Sequence, residues 1–138
     1  MATKKAPSRR LRSLKVTDAF RAFVLDQLHD LDDVVPRAMF GGVGLYCRGV
    51  FFGILASDVL YLKVDDTNRR DYERPGASAF DPFPGRQGST SYFSVPIGVL
   101  ENANELTEWA RRAVDVARRG EGRRASRPKR RPPRRSGR

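Results

Sequence analysis

This chain of 138 residues holds one thiol and one imidazole, Cys47 and His29. Such a pair makes a nucleophile only when the imidazole lies within hydrogen-bonding reach of the sulfur. Cys47 falls in an apolar run, where a thiol behaves as a small hydrophobe. His29 falls near Asp26, Asp30, Asp32 and Asp33, beside the polar face of a helix described below. The expectation is an inert thiol and a solvated histidine, with no catalytic residue and no enzyme. One cysteine also excludes an intrachain disulfide framework and a multi-thiolate zinc site.

Three further patterns invite chemistry. Gly41-Gly42-Val43-Gly44 resembles a phosphate loop, but it lacks the Gly-Lys-Ser/Thr ending and the G-x-G-x-x-G spacing. These glycines are expected to allow a bulge or close packing in a sheet, and no cofactor is expected. The carboxylates Asp65, Asp66, Asp71 and Glu73 match no calcium-loop spacing and have no histidine near Asp65. They read as a solvated surface and not as a metal site. Phe51, Phe52, Tyr61, Tyr92 and Phe93 could stack bases, as aromatics do on some RNA-binding sheets. No ribonucleoprotein motif accompanies them, so they are expected to pack in the core. Lys63 beside Tyr61 reads as a strand lysine that protects solubility.

The bases carry the strongest signal. Residues 1–16 hold Lys4, Lys5, Arg9, Arg10, Arg12 and Lys15 with no acid, a charge of +6. Residues 118–138 hold Arg118, Arg119, Arg123, Arg124, Arg127, Lys129, Arg130, Arg131, Arg134, Arg135 and Arg138 against Glu121 alone, a charge of +10. Residues 17–117 carry −5, so the net +11 divides into an acidic middle and two basic ends. Arginine-rich segments hold nucleic acid by neutralising phosphates and releasing counterions, without reading sequence. After Val116 the only apolar residues are Ala117 and Ala125. With so little to bury, about 120–138 is expected to be a disordered tail and 1–14 a shorter arm. The arm has no apolar core of a secretory signal, and no run approaches the roughly 20 apolar residues of a membrane helix. A cytoplasmic protein with no membrane partner is expected.

The elements between these ends follow from periodicity. Thr17 caps a predicted helix whose stripe is Phe20, Phe23, Val24, Leu28 and Leu31. Pro36 closes that region. Residues 43–47, 50–56 and 59–64 are predicted strands, separated by Arg48-Gly49 and Ser57-Asp58. Neither pair is the favoured Asn-Gly, which leaves the turn geometry open. Met39-Phe40 is expected to begin the sheet before the Gly41-Gly42 break. In the third strand Leu60, Leu62 and Val64 share one face. A short helix is expected over 68–74, a loop without period over 77–90, and a fourth strand over 91–95. Asn102 and Glu105 form a capping-box pattern before a helix with the stripe Leu106, Trp109, Ala110, Ala113 and Ala117, and Gly120 offers a left-handed exit. The sum is a two-layer α+β domain: an antiparallel sheet of four to five strands with N- and C-terminal helices packed on it.

The run Arg37-Ala-Met-Phe-Gly-Gly-Val-Gly-Leu-Tyr46 resembles the signature of the TfoX/Sxy competence-regulator N-terminal domain. Gly49-Val-Phe-Phe-Gly-Ile54, Leu60-Tyr-Leu-Lys-Val-Asp65, Ser91-Tyr-Phe-Ser-Val-Pro96 and Glu105-Leu-Thr-Glu-Trp-Ala110 continue the likeness in order, over roughly 17–117. The resemblance implies a two-layer fold similar to secretion chaperones and a link to regulated gene expression and DNA uptake. It implies a second, C-terminal domain in full-length relatives, where this chain has its basic tail. It supplies no catalytic residue. The functional expectation is a non-enzymatic regulatory domain that associates non-specifically with DNA through its termini, the folded part meeting a protein partner or a second copy. The alternative is a protein-interaction adaptor with no nucleic-acid role. A third, an enzymatic or small-molecule domain, would use the 77–90 loop as a lid.

Overall fold

The computed structural model describes residues 13–81 and 91–126. The first helix, α1 (Asp18–Gln27), begins where Thr17 accepts a hydrogen bond from the Phe20 amide at 3.1 Å. The same threonine donates its amide and hydroxyl to Asp58, at 2.8 and 3.0 Å. One cap therefore fixes the start of the helix to a hairpin turn forty-one residues away. Val24 and Leu28 are fully buried, as the stripe predicts, whereas Phe23 is turned outward and is 39% exposed. Ser13 and Leu14, both expected in the loose arm, belong to the packed body. Leu14 is buried, and Ser57 donates its amide to the Leu14 carbonyl and its hydroxyl to the Ser13 carbonyl.

Five strands follow in antiparallel order, each beside its neighbour in sequence: β1 (Val34–Met39), β2 (Gly42–Cys47), β3 (Val50–Ala56), β4 (Val59–Lys63) and β5 (Tyr92–Ser94). Three two-residue loops join the first four. Phe40-Gly41, Arg48-Gly49 and Ser57-Asp58 all have positive φ at both positions, the geometry of type I′ turns, whose twist matches that of paired strands. The sheet thus begins five residues earlier than Met39, and the break before β2 is the Phe40-Gly41 turn, with Gly42 already paired to Met39. Pro36 lies within β1 because β1 is an edge strand, where a residue without an amide hydrogen is tolerated. Residues 78–80 also depart from the expected loop. Phe80 donates to the Tyr92 carbonyl, Ser94 donates to the Ser78 carbonyl, and Ala79 bridges Phe93, which adds a short run beyond β5.

The register slips once. Leu45 faces Gly53 and Tyr46 faces Phe51, so Phe52 is an extra residue in β3. This bulge leaves Phe52 fully buried among Val43, Leu45, Leu60 and Leu62, while Phe51 and Ile54 go to the other face and stay half-buried. A short 3-10 turn (Arg69–Tyr72) brings Tyr72 against Trp109, with ring centroids 4.7 Å apart. A one-turn helix, α2 (Ile97–Leu100), precedes α3 (Ala103–Ser126). Asn102 caps α3 by accepting from the Glu105 amide at 3.0 Å. Leu106, Trp109, Ala110, Ala113 and Ala117 are all buried, and α3 lies across β3 and β4 with α1 and α2 against it.

The predicted exit at Gly120 is corrected: α3 continues through Gly120 and Gly122 to Ser126. A glycine inside a helix costs about 1 kcal/mol but leaves the backbone bond intact.

Two outcomes are expected. A Cβ on Gly42 would sit 2.6 Å from the Leu55 carbonyl oxygen, whereas one on Gly44 would meet the Met39 sulfur at 2.6 Å. Gly42→Ala should lose about 2 kcal/mol in urea denaturation and Gly44→Ala less, because a thioether swings aside; equal losses would contradict this. The two-residue loop makes Met39/Gly42 a mutually bonded pair, and alternation turns the backbone groups of Val34, Pro36 and Ala38 to the free edge. Pro36→Val should therefore raise self-association in sedimentation, and a variant no more associated than its parent would contradict the edge role.

Candidate nucleic-acid interface

Of the basic residues singled out above, Lys15, Arg118 and Arg119 are fully described, and the backbone of Arg123 and Arg124 lies in the last turns of α3. Lys4, Lys5, Arg9, Arg10, Arg12, Arg127, Lys129, Arg130, Arg131, Arg134, Arg135 and Arg138 lie outside the described residues. Lys15 is exposed next to the buried Leu14. Arg118 stands 3.6 Å from Asp115. Arg119 donates to the Thr67 hydroxyl at 2.9 Å and stands 3.7 Å from Asp65. The Arg118–Asp115 pair is exposed and worth on the order of 0–1 kcal/mol, so a phosphate can replace that carboxylate, whereas Asp65 is half-buried. The rigid helix that closes the core is thus the same element that carries the first arginines of the basic run.

A cleft of about 240 Å³ lies between the end of α1, the β2–β3 turn and α3. Its arginines are matched by carboxylates. Arg48 stands 3.4 Å from Asp32 and 3.6 Å from Asp33, and Arg111 stands 3.0 Å from Glu108. Cys47 lines this cleft yet is only 5% exposed, and its thiol donates to the Asp32 carbonyl at 3.2 Å. Burial pushes the thiol above its ordinary range, against the pull of Arg48 and Arg118. His29 donates from Nδ1 to the Asp26 carbonyl at 2.8 Å, and that bond, with the Asp30 carboxylate next, raises its pKa from 6.5. The two residues have separate partners and no hydrogen bond joins them. Among the described residues no three His, Cys, Asp or Glu side chains converge to hold a metal ion, and no helix is long and apolar enough to cross a membrane.

The glycine-rich hairpin is now explained residue by residue. Gly41 takes φ +87° in the turn, Gly42 admits Leu14 and the Leu55 carbonyl, and Gly44 leaves room for Met39 and Phe51. Phe40 alone has no packing reason. It holds φ +49° and is 77% exposed.

A family model described as the TfoX N-terminal domain matches residues 26–117, from the last turn of α1 to the last core residue of α3. The chain belongs to the TfoX N-terminal domain family. The five-stranded sheet and the helix across it are this family's matched region, and the β1–β2 hairpin carries the motif that suggested the kinship. None of the seventeen basic residues named above falls within the match. No curated protein matches the chain.

The aromatics divide differently from expectation. Phe52 and Phe93 pack on the helix side, but Phe51, Tyr61 and Tyr92 occupy the opposite face of the sheet with Tyr46. The alternation of the third predicted strand already sets Tyr61 and Lys63 opposite Leu60 and Leu62, but the bulge that sorts Phe51 from Phe52 depends on the neighbouring strand.

For the thiol, the expected outcome is slow alkylation of Cys47 in the native protein at neutral pH and rapid alkylation after unfolding, read by mass spectrometry. Native labelling as fast as that of a free thiol would contradict the burial.

Proposed function

We propose that this TfoX-type chain is a non-enzymatic regulatory domain that associates with DNA through its basic ends, while its folded part contacts a protein partner or a second copy. The observation that carries the reading is the segregation of charge. The matched region lies inside the acidic stretch 17–117, and all seventeen interface bases lie outside the match. The helix α3 supports it mechanically, since it runs from the buried Ala117 through Arg118 and Arg119 to Ser126 without interruption. Such an element delivers bases to a phosphate backbone from a fixed platform, and the affinity it gives is electrostatic and indifferent to sequence. Regulation then works by bringing whatever the folded part holds to the DNA.

The second reading is an adaptor with no nucleic-acid role. Phe40 favours it: an exposed ring held at positive φ is an uncommon arrangement that suits an anchor in a partner's pocket.

The test is fluorescence anisotropy on duplex DNA across a salt series, comparing the full chain with one ending at Ser126. That truncation leaves every described residue in place. If the ends neutralise about six phosphates, log K falls against log salt with a slope on the order of −5. Removing 127–138, which takes away seven bases, should weaken binding at low salt and flatten the slope by several units. Binding indifferent to the truncation would favour the adaptor.

A further inference from the structure

The face of the sheet opposite α1 and α3, helix-free among the described residues, carries an unbroken row of cation–ring and ring–ring contacts. The Arg37 guanidinium lies 5.4 Å from the Tyr46 ring centre, Tyr46 lies 5.1 Å from Phe51, Phe51 lies 5.7 Å from Tyr92, and the Lys63 ammonium lies 4.9 Å from Tyr92. Cross-strand pairing builds the row: Tyr46 faces Phe51 across β2 and β3, and Lys63 faces Tyr92 across β4 and β5. The rings are tilted by 34° and 42° to one another, and Tyr46, Phe51 and Tyr92 are half-buried. At the β1 end a cleft of about 270 Å³ opens between Val35, Arg37, Tyr46 and Gly49. Gly49, with no side chain, leaves the ring of Tyr46 approachable from the turn.

We propose that this face binds single-stranded DNA, one base entering the cleft beside Tyr46 and stacking on the Tyr46–Phe51 pair while Arg37 holds the adjoining phosphate. Charge complementarity selects the occupant. Arg48, Arg69, Arg111, Arg112, Arg118 and Arg119 each meet a carboxylate. Arg37 is exposed, makes no ion pair among the described residues and rests only on the Tyr46 ring. A purely apolar partner would cover that charge without neutralising it, at a cost. A nucleotide supplies both a flat face for the ring and an anion for the guanidinium. Bases in a duplex are stacked on one another and cannot lie on a protein ring, so the strand must be single. With the Arg37 guanidinium assigned to the phosphate and the Tyr46 ring to the base, no lining side chain is left committed to a 2′-hydroxyl, and DNA is the strand the proposal takes. This site is independent of the basic ends: it reads base faces, and they hold phosphates.

The experiment uses the full chain with a labelled oligothymidylate strand, a duplex of equal length and an RNA strand of matching sequence, by anisotropy. Salt is raised until duplex binding is lost. Stacking survives salt better than phosphate contacts do, so single-strand binding should persist there. Tyr46→Leu and Phe51→Leu should each weaken it about tenfold, and Tyr46→Phe should leave it nearly unchanged. Arg37→Gln, at an exposed position that cannot upset the core, should weaken it and reduce the salt slope by about one. None of these variants should change duplex binding at low salt by more than about twofold, whereas removal of 127–138 should reduce duplex binding and spare the single strand at high salt. Loss of all single-strand binding with the duplex, an unchanged affinity in Arg37→Gln and both leucine variants, equal losses on duplex and single strand, or tighter binding of RNA would each overturn the proposal.

Discussion

The extra residue in β3 decides what each side of this sheet presents. Side chains alternate along a strand, so a slip of one position exchanges the two faces. Between Leu45 and Tyr46 the register takes such a step, and Phe52 joins Leu45, Leu60 and Leu62 beneath α3 while Phe51 joins Tyr46 on the far side. A strand apolar on both faces then serves two layers at once. The core needs Phe52 where it is; the row of rings needs Phe51 where it is. Neither follows from the composition of β3, and both follow from one bulge.

The charge is arranged along the chain as sharply as the apolar residues are arranged across the sheet. The folded region is tied together by small ion pairs on its surface, such as Arg112 with Asp71 at 3.0 Å and Arg48 with Asp32 and Asp33. Two cations with no ion pair among the described residues sit over rings, Arg37 over Tyr46 and Arg74 over Trp109. The surplus of bases lies outside the family's matched region, and α3 joins the two regimes as one continuous helix. On this account the fold and the polycation are separable parts, joined by a stiff link, and each can be altered without unfolding the other.

What was legible in the sequence was what local rules decide. Thr17 caps α1, Asn102 caps α3, the alternation of Leu60, Leu62 and Val64 gives β4 its buried face, and the stripe from Leu106 to Ala117 gives α3 its core side. The family was legible too, because several ordered motifs carry it. The misses share a different cause. The start of the sheet at Val34 was missed, because only a place on an edge strand lets β1 run through Pro36. Gly120 reads as an exit, yet a helix already nucleated by packing against the sheet tolerates it. Close packing at the glycines was expected, but the neighbours that impose it on Gly42, Leu14 and Leu55, are remote in sequence. Of the interface, the bases were visible as composition, but the row from Arg37 to Lys63 draws on five strands and becomes visible only once they are paired.

The central claim is that nucleic acid meets this protein at its basic ends and on the helix-free face of its sheet, and not on the side covered by α1 and α3. Photocrosslinking of single-stranded DNA to the full chain, followed by mass mapping of the adducts, tests that division most directly. The account predicts adducts on terminal peptides and on the peptide that holds Arg37, Tyr46 and Phe51. Adducts concentrated on α1 or on the helix-side cleft around Arg48 and Arg111 would contradict it.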